Sequence, residues 1–162
     1  MNDMTGQLIA AARSGDTNMI NTITAAGTPV DGRDEKGYTP LIIACYNNRP
    51  AAAKLLIESG ADVDAADFGG NTALMGACFK GYAEIAELLL TSGAGIDRQH
   101  GNGGTALMFA AMFGRNDLIS ILLRHGAAVG ITDARGMTAL DLAAQQGNEK
   151  GIELMEAYFD AS

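Results

Sequence analysis

Tryptophan is absent from this chain, proline occurs 3 times, and cysteine and histidine occur only twice each. Two cysteines in 162 residues cannot staple a disulfide scaffold. A zinc site needs three or four converging ligands, and His100 and His125 lack the spacing of a metal pair. No cofactor or metal is therefore expected. Basic residues are also scarce, 11 against 19 acidic, for a formal net charge of −8. Phosphate backbones repel such a surface, which argues against nucleic acid as a partner. No apolar run is long enough to span a bilayer, so no membrane segment is expected. The opening Met1-Asn2-Asp3-Met4-Thr5-Gly6-Gln7 has an acid where a secretory leader has Lys or Arg. A cytoplasmic location is the expectation. A mature periplasmic chain given a new Met would read the same.

Chemistry-bearing motifs are missing too. No G-x-x-x-x-G-K-S/T run and no strand-borne G-x-G-x-x-G occurs, so the glycines build no phosphate cradle. No Ser-His-Asp or Cys-His set stands out, and the chain is expected not to be an enzyme. Cys45 and Cys78 share one frame position. Adjacent helices pack about 8–10 Å apart, whereas a disulfide needs Cα atoms within about 7 Å. Both are read as buried, reduced core residues. His125 precedes Gly126 at a helix end, where the helix dipole favours a partial positive charge, and is read as a surface capping residue.

What is present is glycine, 21 residues, within a composition that is 48% hydrophobic. The glycines fall on a period. Thr39, Thr72, Thr105 and Thr138 are 33 apart, as are Gly37, Gly70, Gly103 and Gly136. Gly27, Gly60, Gly93 and Gly126 keep the same step, and so do Leu41, Leu74, Leu107 and Leu140. Gly15, Gly81, Gly114 and Gly147 form a further column whose gap is filled by Asn48. Such self-similarity marks a repeat array. In one unit, Asp67-Phe68-Gly69-Gly70-Asn71 reads as a turn and Thr72 as a helix N-cap. Ala73 to Lys80 reads as a short helix ended by Gly81 in the left-handed C′ position. Ala83 to Thr91 reads as a second helix, with Ile85, Ala86, Leu88 and Leu89 on one face. Five units follow: 1–33, 34–66, 67–99, 100–132 and 133–162. The first and last read as caps, because end repeats hide core on one side only. Glu149, Glu153, Glu156 and Asp160 would give the terminal helix a polar outer side.

These residues resemble the ankyrin pattern. Asp34-Glu35-Lys36-Gly37-Tyr38-Thr39-Pro40-Leu41 and Gly60-Ala61-Asp62-Val63-Asp64 match it, and the other repeats carry Thr-Ala-Leu for Thr-Pro-Leu. The resemblance implies an all-α solenoid of five stacked helix–turn–helix repeats with projecting β-hairpin loops. It also implies a non-enzymatic protein-binding scaffold. The histidine of the family motif is missing, with Ile42, Met75, Met108 and Asp141 in its place, so its bonds must be replaced or lost. His100 replaces the opening Asp of its unit. Three glycines in His100-Gly101-Asn102-Gly103-Gly104 predict the most mobile of the inter-repeat loops.

Partners of ankyrin-like stacks meet the concave side, formed by loop tips and the first helices. Carrying frame positions across selects Tyr46, Phe79 and Met112, then Asn47, Lys80 and Phe113, and at the loop tips Lys36, Tyr38, Phe68, Asn71 and Met137. Aromatic and Met side chains dominate interface hot spots, and an exposed apolar stripe marks an interaction site. The alternative is that these rings pack on neighbouring repeats. Met75 and Met108 are assigned to packing. A monomeric protein-binding module follows: an adaptor, inhibitor or immunity protein resembling small bacterial ankyrin proteins, with the acidic surface favouring a basic partner. Self-association through the stripe or the Tyr158-Phe159 end is the competing reading.

Overall fold

The computed structural model describes residues 3–161, and side chains from 3 to 159. The Met1–Asn2 part of the leader reading and the side chain of Asp160 lie outside the described residues. Among the described residues, ten helices run in antiparallel pairs: α1 (Asp3–Ser14) with α2 (Thr17–Ala25), α3 (Pro40–Tyr46) with α4 (Pro50–Glu58), α5 (Ala73–Lys80) with α6 (Ala83–Thr91), α7 (Ala106–Met112) with α8 (Asn116–Arg124), and α9 (Ala139–Gln145) with α10 (Glu149–Ala161). The first helices stack in one row, α1 on α3 on α5 on α7 on α9, and the second helices in another.

The local causes are those expected. Thr39, Thr72, Thr105 and Thr138 each accept from the backbone N–H three residues on, at 3.2, 3.3, 3.3 and 3.1 Å. Three of these threonines are themselves buried, so the cap satisfies donor and hydroxyl together. Gly81 ends α5 with φ 83°, and Asn48 holds the same left-handed position at φ 55°. Pro50 opens α4 at its first turn. Between the two rows, Leu41, Leu74, Leu107, Ile85, Leu89, Leu118 and Leu122 are buried, with Ala44, Ala77, Ala110 and Ala143 at the close helix approaches. Ala52 and Ala53 are fully enclosed. Leu88 is only half-buried, so the packed face of α6 is narrower than the spacing suggested. Leu140 departs further: it is 36% exposed, whereas its column partners are at 1%.

The stack is cross-linked by polar bonds on the same period. Asp31, Asp64 and Asp97 accept from the amides of Asp62, Gly95 and Ala128 in the next unit, at 3.2, 2.7 and 2.9 Å. Loop backbones also meet directly, Gly101 N–H to Gly69 C=O at 3.0 Å and Ala134 N–H to Asn102 C=O at 2.9 Å. That approach is why Gly70 and Gly103 lack side chains: a Cβ at either would lie 3.0 Å from the next loop's backbone, besides a φ of 84°. The projecting loops are hairpin-like turns closed by two backbone bonds each, and among the described residues the one isolated bridge is Ala66 with Thr72.

Candidate concave-face binding site

The C-terminal ends of α3, α5 and α7 bring three rings into line. Tyr46 and Phe79 lie parallel with centroids 6.3 Å apart, and Phe79 meets Phe113 edge-on at 4.7 Å. Both separations fall in the range of favourable aromatic pairs. Tyr46 and Phe113 are 44% and 43% exposed, whereas Phe79 between them is half-buried. Lys80 Nζ sits 4.9 Å above the Tyr46 ring, within cation–π reach. The rings thus pack on neighbouring repeats, while Tyr46 and Phe113 stay partly exposed.

Several sequence-selected residues are less available than an exposed stripe requires. Asn47 donates from Nδ2 to the Ile43 carbonyl at 2.8 Å, closing the end of α3. Asn71 donates to both carboxylate oxygens of Asp67 at 3.3 Å. Tyr38, Met112 and Met137 are half-buried against the core. Phe68 is 73% exposed and lies across Gly37, where a Cβ would approach its ring to 2.8 Å. Lys36 is exposed. Met75 and Met108 are buried, in keeping with packing roles.

Beside the ladder lies a mainly apolar groove of about 290 Å³, lined by Tyr38, Ile42, Tyr46, Met75, Phe79 and Phe109, with Asp67 and Asn71 also on its wall. Its floor is Gly76. The same frame position holds Ile43, Phe109 and Leu142 in the other repeats, so one missing side chain opens the concavity. A Cβ added there would stand 3.3 Å from Tyr46 Cδ1. Sequence reasoning missed both Gly76 and Phe109. The signal was a glycine inside α5, where it costs about 1 kcal/mol against alanine.

Phe109 also lines a second hollow of about 410 Å³, with His100, Met112, Asp133 and Arg135. Its ring centroid is 5.3 Å from that of His100. His100 takes over part of the missing Asp's role: Nδ1 accepts from Asn102 N–H at 3.0 Å. Asp34, Asp67 and Asp133 each accept from two backbone amides, of the residues two and four positions on. At Asp133 these bonds, chiefly that from Met137, hold the carboxyl below its ordinary range against a smaller opposing effect of burial. At two positions of the absent family histidine the side chain closes the start of its own helix rather than joining two loops. Asp141 accepts from Thr138 N–H at 3.0 Å, and Met75 sulfur lies 3.4 Å from Thr72 N. His125 is a bridging residue rather than a lone cap, with Nε2 3.1 Å from Glu87, which Arg124 also reaches at 3.2 Å.

Elsewhere the chain offers little chemistry. Cys45 and Cys78 are buried and unbridged. Burial pushes the Cys45 thiol up to about 12, and raises Cys78 too, with a lesser push from the charge of Asp117. Among the described residues no three His, Cys, Asp or Glu side chains converge into a metal-binding group, and no helix is long and apolar enough to cross a membrane.

The comparisons agree with this architecture. The ankyrin-repeat family model (ankyrin repeats, 3 copies) matches residues 8–100 and 91–161. A search of curated proteins returns no match. Ankyrin repeats are in general protein-binding scaffolds without catalysis of their own, and with most of its length matched, this chain belongs to the ankyrin-repeat family.

Proposed function

We propose that the protein holds a partner protein on its concave face, and that the notch over Gly76 receives one apolar anchor side chain. The observation that carries this is the interruption of a packed column. Ile43 and Phe109 flank a glycine whose absent side chain leaves an apolar groove beside the Tyr46–Phe79–Phe113 ladder. An anchor in a well-packed pocket is the usual energetic centre of an interface. Tyr46, Phe113, Phe68, Lys36 and Lys80 would surround it as accessible contacts. Tyr38, Asn71, Phe79, Met112 and Met137 would shape the surface, and Asn47 would hold the end of α3. The role that fits is a monomeric adaptor, inhibitor or immunity protein with repeats at 1–33, 34–66, 67–99, 100–132 and 133–162. The net charge favours a basic partner, and two buried free thiols suit the reducing cytoplasm.

The test is capture from native cells, read by mass spectrometry, with wild type beside Gly76→Leu and beside Phe79→Ala/Phe113→Ala. Gly76→Leu fills the notch while improving helix propensity. It is expected to lose the captured protein with helicity unchanged. Each ring that is a hot spot should cost about 2–4 kcal/mol on truncation. A partner retained at full affinity by Gly76→Leu overturns the notch, and one retained by both variants overturns the concave face.

A further inference from the structure

The loop at 100–104 departs from its counterparts at two positions that compensate each other. Position 104 holds glycine where the other loops hold Tyr38, Asn71 and Met137, and His100 stands where they hold Asp34, Asp67 and Asp133. The imidazole folds into the space that Gly104 vacates: a Cβ there would lie 2.6 Å from His100 Nε2. Nδ1 accepts from Asn102 N–H at 3.0 Å, so the proton of the ring sits on Nε2. Among the described residues Nε2 has no hydrogen-bond partner. His100 and Gly104 both line the hollow of about 410 Å³ between α7 and α9. Met108 and Leu142 are its buried apolar floor, with Phe109 and Met112 half-buried beside them. The Asp133–Arg135 pair, 3.4 Å apart, also belongs to the lining. Both oxygens of Asp133 are engaged: Oδ1 accepts from the amides of Arg135 and Met137, and Oδ2 faces the guanidinium. Arg135 has N–H groups to spare, its side chain being 62% exposed. The titratable side chains that keep free capacity here are therefore donors.

We propose, on the concave-face reading above, that this hollow receives a glutamate side chain of the partner protein, its carboxylate held by His100 Nε2–H and the Arg135 guanidinium. The apolar floor suits the methylenes of the glutamate stem, and the two donors suit its charged end. Bonds from such donors to a carboxylate are stronger than neutral ones. The charge of Asp133 is already met by two amides and by Arg135, so it opposes the incoming acid less than a free carboxylate would. The chain as a whole carries −8, and its far field favours a basic partner. A carboxylate at this one donor site therefore sets register rather than driving encounter. His100 is the specificity-determining residue, because the three aspartates at its frame position would repel the same group. Phe109 lines both this hollow and the groove over Gly76, so one segment of the partner can reach the two.

The test is a displayed library of random linear peptides, selected on the full chain and titrated as synthetic C-terminal amides, so that every carboxylate is a side chain. The binders are expected to be lost on Phe79→Ala/Phe113→Ala and to share one glutamate. Changing that glutamate to glutamine should lower affinity at least about tenfold. His100→Asp restores the residue of the other three loops, so circular dichroism should be unchanged while the binders weaken to the same degree. On His100→Asp the glutamine change should cost almost nothing more, which is the coupling that a direct contact requires. Arg135→Met should reduce the cost of the glutamine change in the same way. Binders lost on Phe79→Ala/Phe113→Ala that share no acid, or whose glutamine change costs as much on His100→Asp as on wild type, overturn the glutamate site and leave the concave reading standing. Binders that keep their affinity on Phe79→Ala/Phe113→Ala yet show the coupling to His100 overturn the concave reading and leave the glutamate site.

Discussion

Arg115 Nε donates to the carbonyl of Phe79 at 3.1 Å, across the boundary between two repeats. The same link recurs where Arg49 Nε meets the carbonyl of Arg13 at 3.0 Å. Gly81 and Gly15 make room for the two stems, since a Cβ at either would lie 3.0 Å from the arginine Cδ. Phe79 is one residue from the end of α5, where carbonyls lack intrahelical partners and a cation is favoured. Arg115 therefore fixes the backbone from which the middle ring of the ladder projects. At the last boundary Asn148 Nδ2 reaches the Ala111 carbonyl at 3.2 Å and serves the same purpose.

Removing that donor should loosen the ladder without emptying the site. Arg115→Met keeps most of the stem and loses the charge-assisted bond, with an expected cost of about 1–2 kcal/mol. Urea denaturation measures the loss, and Arg49→Met provides the comparison at a boundary remote from Phe79. Partner affinity should drop for Arg115→Met alone. Equal stability of Arg115→Met and wild type would show that the bond contributes nothing net.

The loop at 100–104 offers a gain rather than a loss. His100 accepts one backbone bond where Asp34, Asp67 and Asp133 accept two. In hydrogen exchange, the Gly104 amide should be faster than its frame equivalents at Tyr38, Asn71 and Met137, each of which donates to an aspartate. His100→Asp should slow the Gly104 amide by supplying the second acceptor, for about 0.5–1 kcal/mol of local stability. The variant gives up the ring contact with Phe109, 5.3 Å between centroids. An unchanged Gly104 rate would mean that aspartate does not restore the turn.

The architecture was legible because each column repeats a local cause. A threonine hydroxyl caps a helix wherever it sits before one, and a glycine or Asn48 reverses the chain wherever φ must be positive. The site was legible only where the signal was a side chain. Tyr46, Phe79 and Phe113 could be named, but the groove they border is made by an absence at Gly76, and a missing side chain draws no notice among 21 glycines. The local bonds of Asn47 and Asn71 were not legible, because frame position tells where a residue sits and not which nearby backbone or carboxylate group binds it. Leu140 shares a column with Leu41, Leu74 and Leu107, yet frame position does not tell that it is 36% exposed where they are at 1%.

Gly76 should be a site where stability and binding separate. Within α5, Gly76→Ala removes a conformational penalty of about 0.5–1 kcal/mol. The new Cβ meets Tyr46 at 3.3 Å, and Tyr46, being 44% exposed, can retreat by the few tenths of an ångström required. The denaturation midpoint should therefore rise in Gly76→Ala. Titration of the captured partner should show affinity lowered modestly by Ala and severely by Leu, in proportion to the volume filled. A midpoint that falls with Ala would mean that Tyr46 is locked in place, making the ladder a rigid structural element.

Cys45 and Cys78 should make the fold's stability fall at alkaline pH. Both thiols are buried, and their ionisation is pushed above the ordinary 9.0, to about 12 for Cys45. A thiol that ionises later in the folded than in the unfolded chain stabilises fully below pH 9, and that contribution is lost as pH rises towards 12. Above pH 9 the native state holds protons that the unfolded state has released, so stability falls by up to about 1.4 kcal/mol per pH unit for each thiol. Alanine occupies this column in the two later repeats, at Ala111 and Ala144, so Cys45→Ala/Cys78→Ala is tolerable on frame grounds. Denaturant midpoints between pH 8 and pH 11 should decline less steeply in that variant than in wild type. A thiol-reactive probe at pH 8 should leave both cysteines unlabelled in the native protein and label both in urea, because the attacking species is the thiolate. Native labelling as fast as in urea would mean that the interface between α3 and α5 opens readily, and the alkaline slope would then vanish with it.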